Sequence, residues 1–243
     1  VYYIHAASHV VLRLLNKQEN YTMKNNETMY TKVMEKLNFE PSLDATDITV
    51  SIQGDGDIVI LGGTVESFYE KLAAERAVKS LMNVRTIANE ITVDLSIRYK
   101  KTDAEIAKEV TNAIKSNTIT APKNIQAIVK DGIVTLTGAV DWYYQKSAAF
   151  NAINKLFGIK AIINNIEVKP IIVIDSSKVK SQITKEFERH ARIDAEKIKV
   201  TVEGKKIILT GKVNNYDEID EAETAAWSVS GVEKVDNKLT IDW

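Results

Sequence analysis

Trp142-Tyr143-Tyr144 and the basic trio Arg98, Lys100 and Lys101 are the residues of this chain best suited to do chemistry. Interfacial aromatics beside Lys and Arg are the ingredients of peripheral binding to anionic headgroups, in which an amphipathic ring sits at the polar boundary and an ammonium meets a phosphate. The surrounding charge supports that use. Residues 96–170 carry 11 Lys and Arg against 6 Asp and Glu, a net of +5, whereas residues 24–95 stand at −5 and residues 171–243 at −2. Net charge for the whole chain is −1 and says nothing about partners.

Reaction chemistry has far less to work with. There is no cysteine, which removes disulfides, thiolate metal sites and cysteine nucleophiles. No Gly-x-Ser-x-Gly, phosphate-binding glycine loop or His-Glu-x-x-His occurs. Of the three histidines, His5 and His9 stand i, i+4 without a third ligand, and His190 sits at a helix end among Glu188, Arg189 and Arg192. Asp55 and Asp57 fall in a glycine turn but lack the spaced oxygens of a calcium loop. The run Asp217, Glu218, Asp220, Glu221, Glu223 reads as a solvated helix face whose charge suits the helix dipole. We therefore expect no catalytic residues, no metal and no cofactor. The chain as a whole is not basic and shows no aromatic-rich ribonucleoprotein strand, so no nucleic-acid partner is expected.

The elements that position these residues come from a threefold internal repeat. Gly63, Gly138 and Gly211 stand in one frame, Leu61-Gly62-Gly63-Thr64-Val65, Leu136-Thr137-Gly138-Ala139-Val140 and Leu209-Thr210-Gly211-Lys212-Val213. Counting forward, alanine recurs at +11 and +14, a branched residue at +21 and asparagine at +26 (Asn89, Asn164, Asn237). Upstream, Met29, Val33, Leu37, then Ile106, Val110, Ile114, then Val179, Ile183, Phe187 mark one face of an amphipathic helix. Asn25-Asn26, Thr102-Asp103 and Asp175-Ser176 are placed to cap its start.

Alternating Ile48, Val50, Ile52 and their counterparts predict a first strand, and a glycine turn leads into the second. Within that second strand the repeated glycine faces the core between Val59, Leu61 and Val65, so a helix is expected to cross the sheet closely there. A second helix follows and ends near Asn83, Gly158 or Gly231, and a third strand carries Ile87, Ile91, Val93 and their equivalents. The aromatic at +5 (Phe68, Tyr143, Tyr216) recurs and is expected to be structural, which leaves Trp142 and Tyr144 for function. Helix, strand, strand, helix, strand, with both helices on one apolar sheet face, gives an α+β fold of three tandem two-layer sandwiches, each a three-stranded sheet under two helices.

The domains expected are 24–95, 96–170 and 171–243, with residues 1–23 a leader outside the repeat and Met23 a candidate start. His5, His9 and Arg13 interrupt that leader's apolar stretch, so it does not form a complete signal peptide, and no apolar run approaches bilayer-spanning length. The linker Lys169-Pro170-Ile171-Ile172-Val173-Ile174 is apolar and expected to lie against units two and three. Outward-facing Ile58, Ile60 and Ile208 offer a further contact surface.

The element order, the Leu-x-Gly-x-Val second strand and the glycine- or asparagine-ended second helix resemble BON domains, the bacterial OsmY and nodulation module, as three copies over residues 24–243. That resemblance implies a non-enzymatic envelope or periplasmic protein linked to osmotic stress, with a phospholipid membrane surface or an envelope protein as partner. The incomplete signal peptide leaves a cytoplasmic address as the alternative. The expectation formed here is contact with anionic phospholipid through unit two. The alternative is a protein-interaction scaffold or chaperone-like stress protein using the apolar outer strand faces.

Overall fold

The structure is a computed structural model that describes residues 2–95, 100–117, 125–171, 176–189 and 196–242, with backbone alone for 2–16, 176 and 177. The first unit contains α1 (Tyr2–Asn38), β1 (Ile48–Gln53), β2 (Ile58–Val65), α2 (Phe68–Lys79), β3 (Thr86–Asn89) and β4 (Thr92–Val93). The second contains α3 (Asp103–Ser116), β5 (Gln126–Lys130), β6 (Ile133–Val140), α4 (Tyr143–Ile153) and β7 (Ala161–Val168). The third contains α5 (Ser176–Arg189), β8 (Ile198–Glu203), β9 (Lys206–Val213), α6 (Tyr216–Trp227) and β10 (Lys234–Ile241). The second strand is central in every sheet, antiparallel to the first and parallel to the third. The third strand of unit one is broken into β3 and β4 around Glu90 and Ile91, although the Glu90 N–H still reaches the Leu61 carbonyl at 2.7 Å.

The apolar faces predicted from spacing are the core. Val33, Leu37, Val59, Leu61, Ile106, Val110, Val134, Leu136, Val179, Ile183, Ile207 and Leu209 are all essentially inaccessible. Burying a side chain of this size contributes about 1.5–3 kcal/mol, and that term holds the two layers together. Units one and two share one continuous core, while unit three has its own.

The repeated asparagine has a single duty in all three copies. Its Nδ2 donates to a carbonyl of the second helix, from Asn89 to Lys71, Asn164 to Lys146 and Asn237 to Ile219, at 3.2–3.3 Å. Its Oδ1 accepts the N–H two residues on, at Ile91, Ile166 or Leu239. One amide side chain thereby ties the third strand to the helix above it, adding a donor to a helix carbonyl and an acceptor to a strand N–H.

Four expectations need correction. The close neighbour at Gly63 and Gly211 is strand-entry backbone and not a helix. Gly63, Gly138 and Gly211 have φ of +91°, +128° and +140°, and a Cβ at Gly63 or Gly211 would collide with the backbone carbonyl oxygen of Asp47 or Lys197. The close neighbour is the residue leading into the first strand, whose carbonyl in unit one accepts the Thr64 N–H at 3.1 Å. Glycine is there because of that backbone approach and the positive φ. Next, Asn25 and Asn26 cap nothing, because α1 is one continuous helix of 37 residues through Met23. Thr102 does cap α3, in a capping box with Glu105. Asp175 lies outside the described residues.

The second helices also stop earlier, at Lys79, Ile153 and Trp227. Asn83, Gly158 and Gly231 are the positive-φ residues of the turn that follows. Lastly, Ile171 of the apolar linker is 82% exposed, while Pro170 is buried. Residues 172–174 lie outside the described residues.

The three units touch through their second helices, by one recurring arrangement. The first residue of each helix, at +5, reaches the carboxyl-terminal half or following turn of the next unit's second helix. Phe68 of α2 meets Phe150 of α4 edge-on at 6.4 Å, and Tyr143 of α4 stacks on Trp227 of α6 at 4.7 Å and 8°. Tyr216 of α6 closes the circuit by donating its hydroxyl to the Arg85 carbonyl of unit one at 2.6 Å.

Candidate functional site

At the amino terminus of α2 and α6 a polar side chain caps the helix. Ser67 accepts the Glu70 N–H at 3.2 Å, and Asn215 accepts the Glu218 N–H at 2.9 Å. In unit two that position is Trp142, which has no oxygen to offer. Gln145 supplies only the return half of the motif, its Oε1 accepting the Asp141 and Trp142 N–H groups at 3.1 Å. Exchanging a good capping residue for a non-capping one costs about 1 kcal/mol.

The Trp142 ring is half-buried and lies 6.2 Å from that of Tyr144, which is 56% exposed. Tyr143 between them turns inward onto Trp227, and burial pushes its phenol pKa up despite an opposing hydrogen bond with Ser147. Trp142 also lines a cleft of about 240 Å³ with Asp141, Pro170, Ile171, Ser230 and Gly231, at the boundary of units two and three.

The basic trio is elsewhere. Lys101 packs its stem against Gly158 and pairs with both Glu109 oxygens at 2.6 Å. Together with the exposed Lys100 it borders a cavity of about 770 Å³ between units one and two, where Lys160 faces Asp94, Asp103 and Asp131. Arg98 lies outside the described residues. Gly132 and Gly158 mark the hairpin-tip end of unit two, and Trp142 follows the opposite end of β6. Eight residues of strand at ~3.3 Å each put roughly 26 Å between the two groups. They do not form one site.

Other lysines stand at the aromatic end. The Lys169 N–H bonds the Val140 carbonyl at 2.7 Å, two residues before Trp142. Its ammonium is held above its ordinary pKa by a hydrogen bond with Glu167. Lys205, from the hairpin tip of unit three, donates to the Pro170 carbonyl at 3.4 Å. Sequence spacing could not show this, because Lys205 arrives from a different unit.

A second exposed apolar surface lies on the outer face of the middle sheet. Ile128, Ile133 and Ile163 are 63%, 39% and 46% exposed, and Ile128 and Ile163 flank Thr135 in one row across β5, β6 and β7. The sequence signal was their phase opposite to Ala127, Val129 and Ile162. Ile58, Ile60 and Ile208, singled out from sequence, are only half-buried counterparts in units one and three.

The acidic run on α6 is not a simple solvated face. Glu218 is buried and accepts from the Asn214 N–H and Nδ2, Glu223 accepts from Trp227 and Asn237, and Asp220 pairs with Lys79. Glu218 and Glu223 are held by partners of their own unit, and only Asp220 reaches across to another unit's second helix. Asp55 accepts the Thr22 hydroxyl at 2.6 Å and Asp57 pairs with Arg85 at 3.2 Å, so the glycine tip is tied to protein partners. The His5 and His9 side chains, and His190, lie outside the described residues. Among the described residues, no group of His, Asp and Glu is arranged to hold a metal, and no helix is long and apolar enough to cross a membrane.

A family model described as BON domain matches residues 25–94, 102–170 and 175–242. The osmotically-inducible protein Y of Escherichia coli K12 is 24% identical over 159 residues, covering 64% of this chain and 77% of that protein. Among solved structures, the C-terminal domain of CdsD, titled a structural protein of the type III secretion system of Chlamydia trachomatis, aligns at 15% identity. That alignment covers 88% of this chain and 96% of that one at a TM-score of 0.26. The PrgH periplasmic domain aligns at 7% identity over 82% and 95% of the two chains, at a TM-score of 0.19. Scores this low carry no argument about architecture.

Proposed function

The chain belongs to the BON domain family, in three tandem copies, and from that premise we propose a non-enzymatic envelope protein of osmotic stress that binds an anionic phospholipid surface through its middle unit. The observation that carries the reading is Trp142 in the capping position. Ser67 and Asn215 cap the equivalent helices, so unit two forgoes roughly 1 kcal/mol of local stability to hold an indole at the surface. Tyr144 and Ile171 stand exposed around it, and Lys169 and Lys205 flank the same end. Aromatic and aliphatic side chains at the headgroup level, with each nearby ammonium adding about 1 kcal/mol, are what reversible binding to anionic lipid requires. The likeness to an osmotically inducible protein supplies the stress context.

Sedimentation with anionic and zwitterionic vesicles at low salt tests the reading. Binding is expected to anionic vesicles only, and to weaken with Trp142→Ala or with Ile171→Ser. Lys100→Glu with Lys101→Glu is expected to matter less than Lys169→Glu with Lys205→Glu, because only the second pair borders the aromatic end. The opposite ranking would return the site to the linker. A protein-scaffold role is the second reading, favoured by the exposed Ile128, Ile133 and Ile163 on the outer sheet face.

A further inference from the structure

The three inter-unit joints occupy equivalent positions but differ in chemistry. Two carry an aromatic pair, Phe68 with Phe150 and Tyr143 with Trp227. Among the described residues the third, between units three and one, has no aromatic pair. It consists of the Tyr216 hydroxyl on the Arg85 carbonyl and the Lys79 ammonium 3.0 Å from Asp220, with Glu75 at 3.5 Å on its other side.

A head-to-tail contact repeated three times closes into a ring when the rotation allows, and the Tyr216 bond shows that here it does. The chain itself joins units one to two and two to three, but nothing covalent joins three to one. Units one and two also share a buried hydrophobic core, against which unit three places only the part-buried rings of Tyr216 and Trp227. Both partners at this joint are net negative, −5 for unit one and −2 for unit three, and α6 presents an acidic amino-terminal half.

We infer that the surface of unit one formed by Glu75, Lys79 and the Arg85 carbonyl is the docking surface for the amino-terminal half of α6, a clasp that closes the chain into a ring and whose release lets unit three swing away from unit one while it stays stacked on unit two. Lys79 is its keystone. Burial alone would lower the Lys79 pKa, yet the Asp220 and Glu75 carboxylates outweigh it and hold the ammonium above its ordinary value. The aromatic joints are held by apolar contact, so a charge change at Lys79 opens this joint and spares them.

The chain has no cysteine, so Met82→Cys and Lys212→Cys, both exposed, accept spin labels cleanly on units one and three. Pulsed electron spin resonance on the full chain is expected to give one narrow distance. Lys79→Glu exchanges a part-exposed ion pair for a repulsion and is expected to lower the closed-to-open ratio about tenfold, seen as a longer and broader distribution with unchanged helix content. Lys79→Glu with Asp220→Lys restores the narrow distance. Tyr216→Phe, which keeps the ring and loses only the hydroxyl, gives a smaller opening. A broad distribution in the parent, no change with Lys79→Glu, or failure of the reversed pair to restore closure would each overturn the clasp. None of these outcomes depends on lipid binding.

Discussion

Replacing Gly211 with alanine should damage unit three far more than replacing Gly204, although both glycines have positive φ, +140° and +61°. At Gly204 a Cβ would meet nothing within 4 Å. Alanine there carries only the left-handed backbone term, about 1 kcal/mol. At Gly211 the same atom would land on the Lys197 carbonyl oxygen and crowd the Ile198 Cα. The neighbour is backbone at the entry to β8, so it cannot swing away as a side chain would.

Backbone strain of roughly 1–3 kcal/mol then adds to overpacking of about 1–3 kcal/mol, for a total near 4 kcal/mol. A unit of this size has few such increments to lose. Urea unfolding followed by tryptophan fluorescence reads the difference, because Trp227 and Trp243 belong to unit three and Trp142 to unit two. The reasoning requires Gly211→Ala to shift the unit-three midpoint several times further than Gly204→Ala. Equal shifts would refute the close-approach account and leave φ alone as the reason for the glycine.

Three further outcomes follow from the same geometry. Asn237→Ala removes the side-chain acceptor of the Leu239 N–H and the donor shared by the Ile219 carbonyl and Glu223, and should destabilise unit three by about 1–3 kcal/mol in urea titration, while Asn237→Asp, which cannot donate, rescues little. Trp227→Ala removes the stack on Tyr143, so the phenol regains solvent and its raised pKa should fall toward the ordinary tyrosine value in an absorbance titration. Bonds from the Thr102 backbone and hydroxyl hold the Glu105 carboxyl below its ordinary pKa. The capping box therefore stabilises α3 above the ordinary glutamate range and loses that contribution as pH falls through the depressed value. A carbon-detected titration should find the midpoint low in the parent and raised only part of the way toward ordinary by Thr102→Ala, which removes the hydroxyl donor and keeps the backbone one.

The layers of this protein were legible in its sequence because burial follows period. Val59, Leu61 and Val65 fall on one face of β2 whatever the units do to one another. The asparagines at +26 were visible as a repeat, but their purpose was not. A bond from Asn89 to the carbonyl of Lys71 joins residues 18 apart and depends on where the helix lies over the sheet. The glycines were assigned to a helix crossing and stand instead against the backbone entering the first strand, since spacing shows a repeat and not what stands beside it.

Charges misled where units meet. Asp220 looks solvated on α6 alone and is claimed by Lys79 of unit one in the folded chain. The proposed site shows the same limit. Trp142 and Tyr144 were singled out from sequence, while Lys205 comes from 63 residues further on and could be found only by folding.

The most direct test of membrane contact by the middle unit is quenching of Trp142 by lipids brominated along the acyl chain. With Trp227→Phe and Trp243→Phe the remaining indole reports that one position, and phenylalanine at 227 retains a ring against Tyr143. On anionic vesicles Trp142 emission should shift to the blue and be quenched most by bromines near the headgroup, and added salt should reverse both effects. Vesicles that bind the protein while leaving Trp142 unquenched would contradict the account.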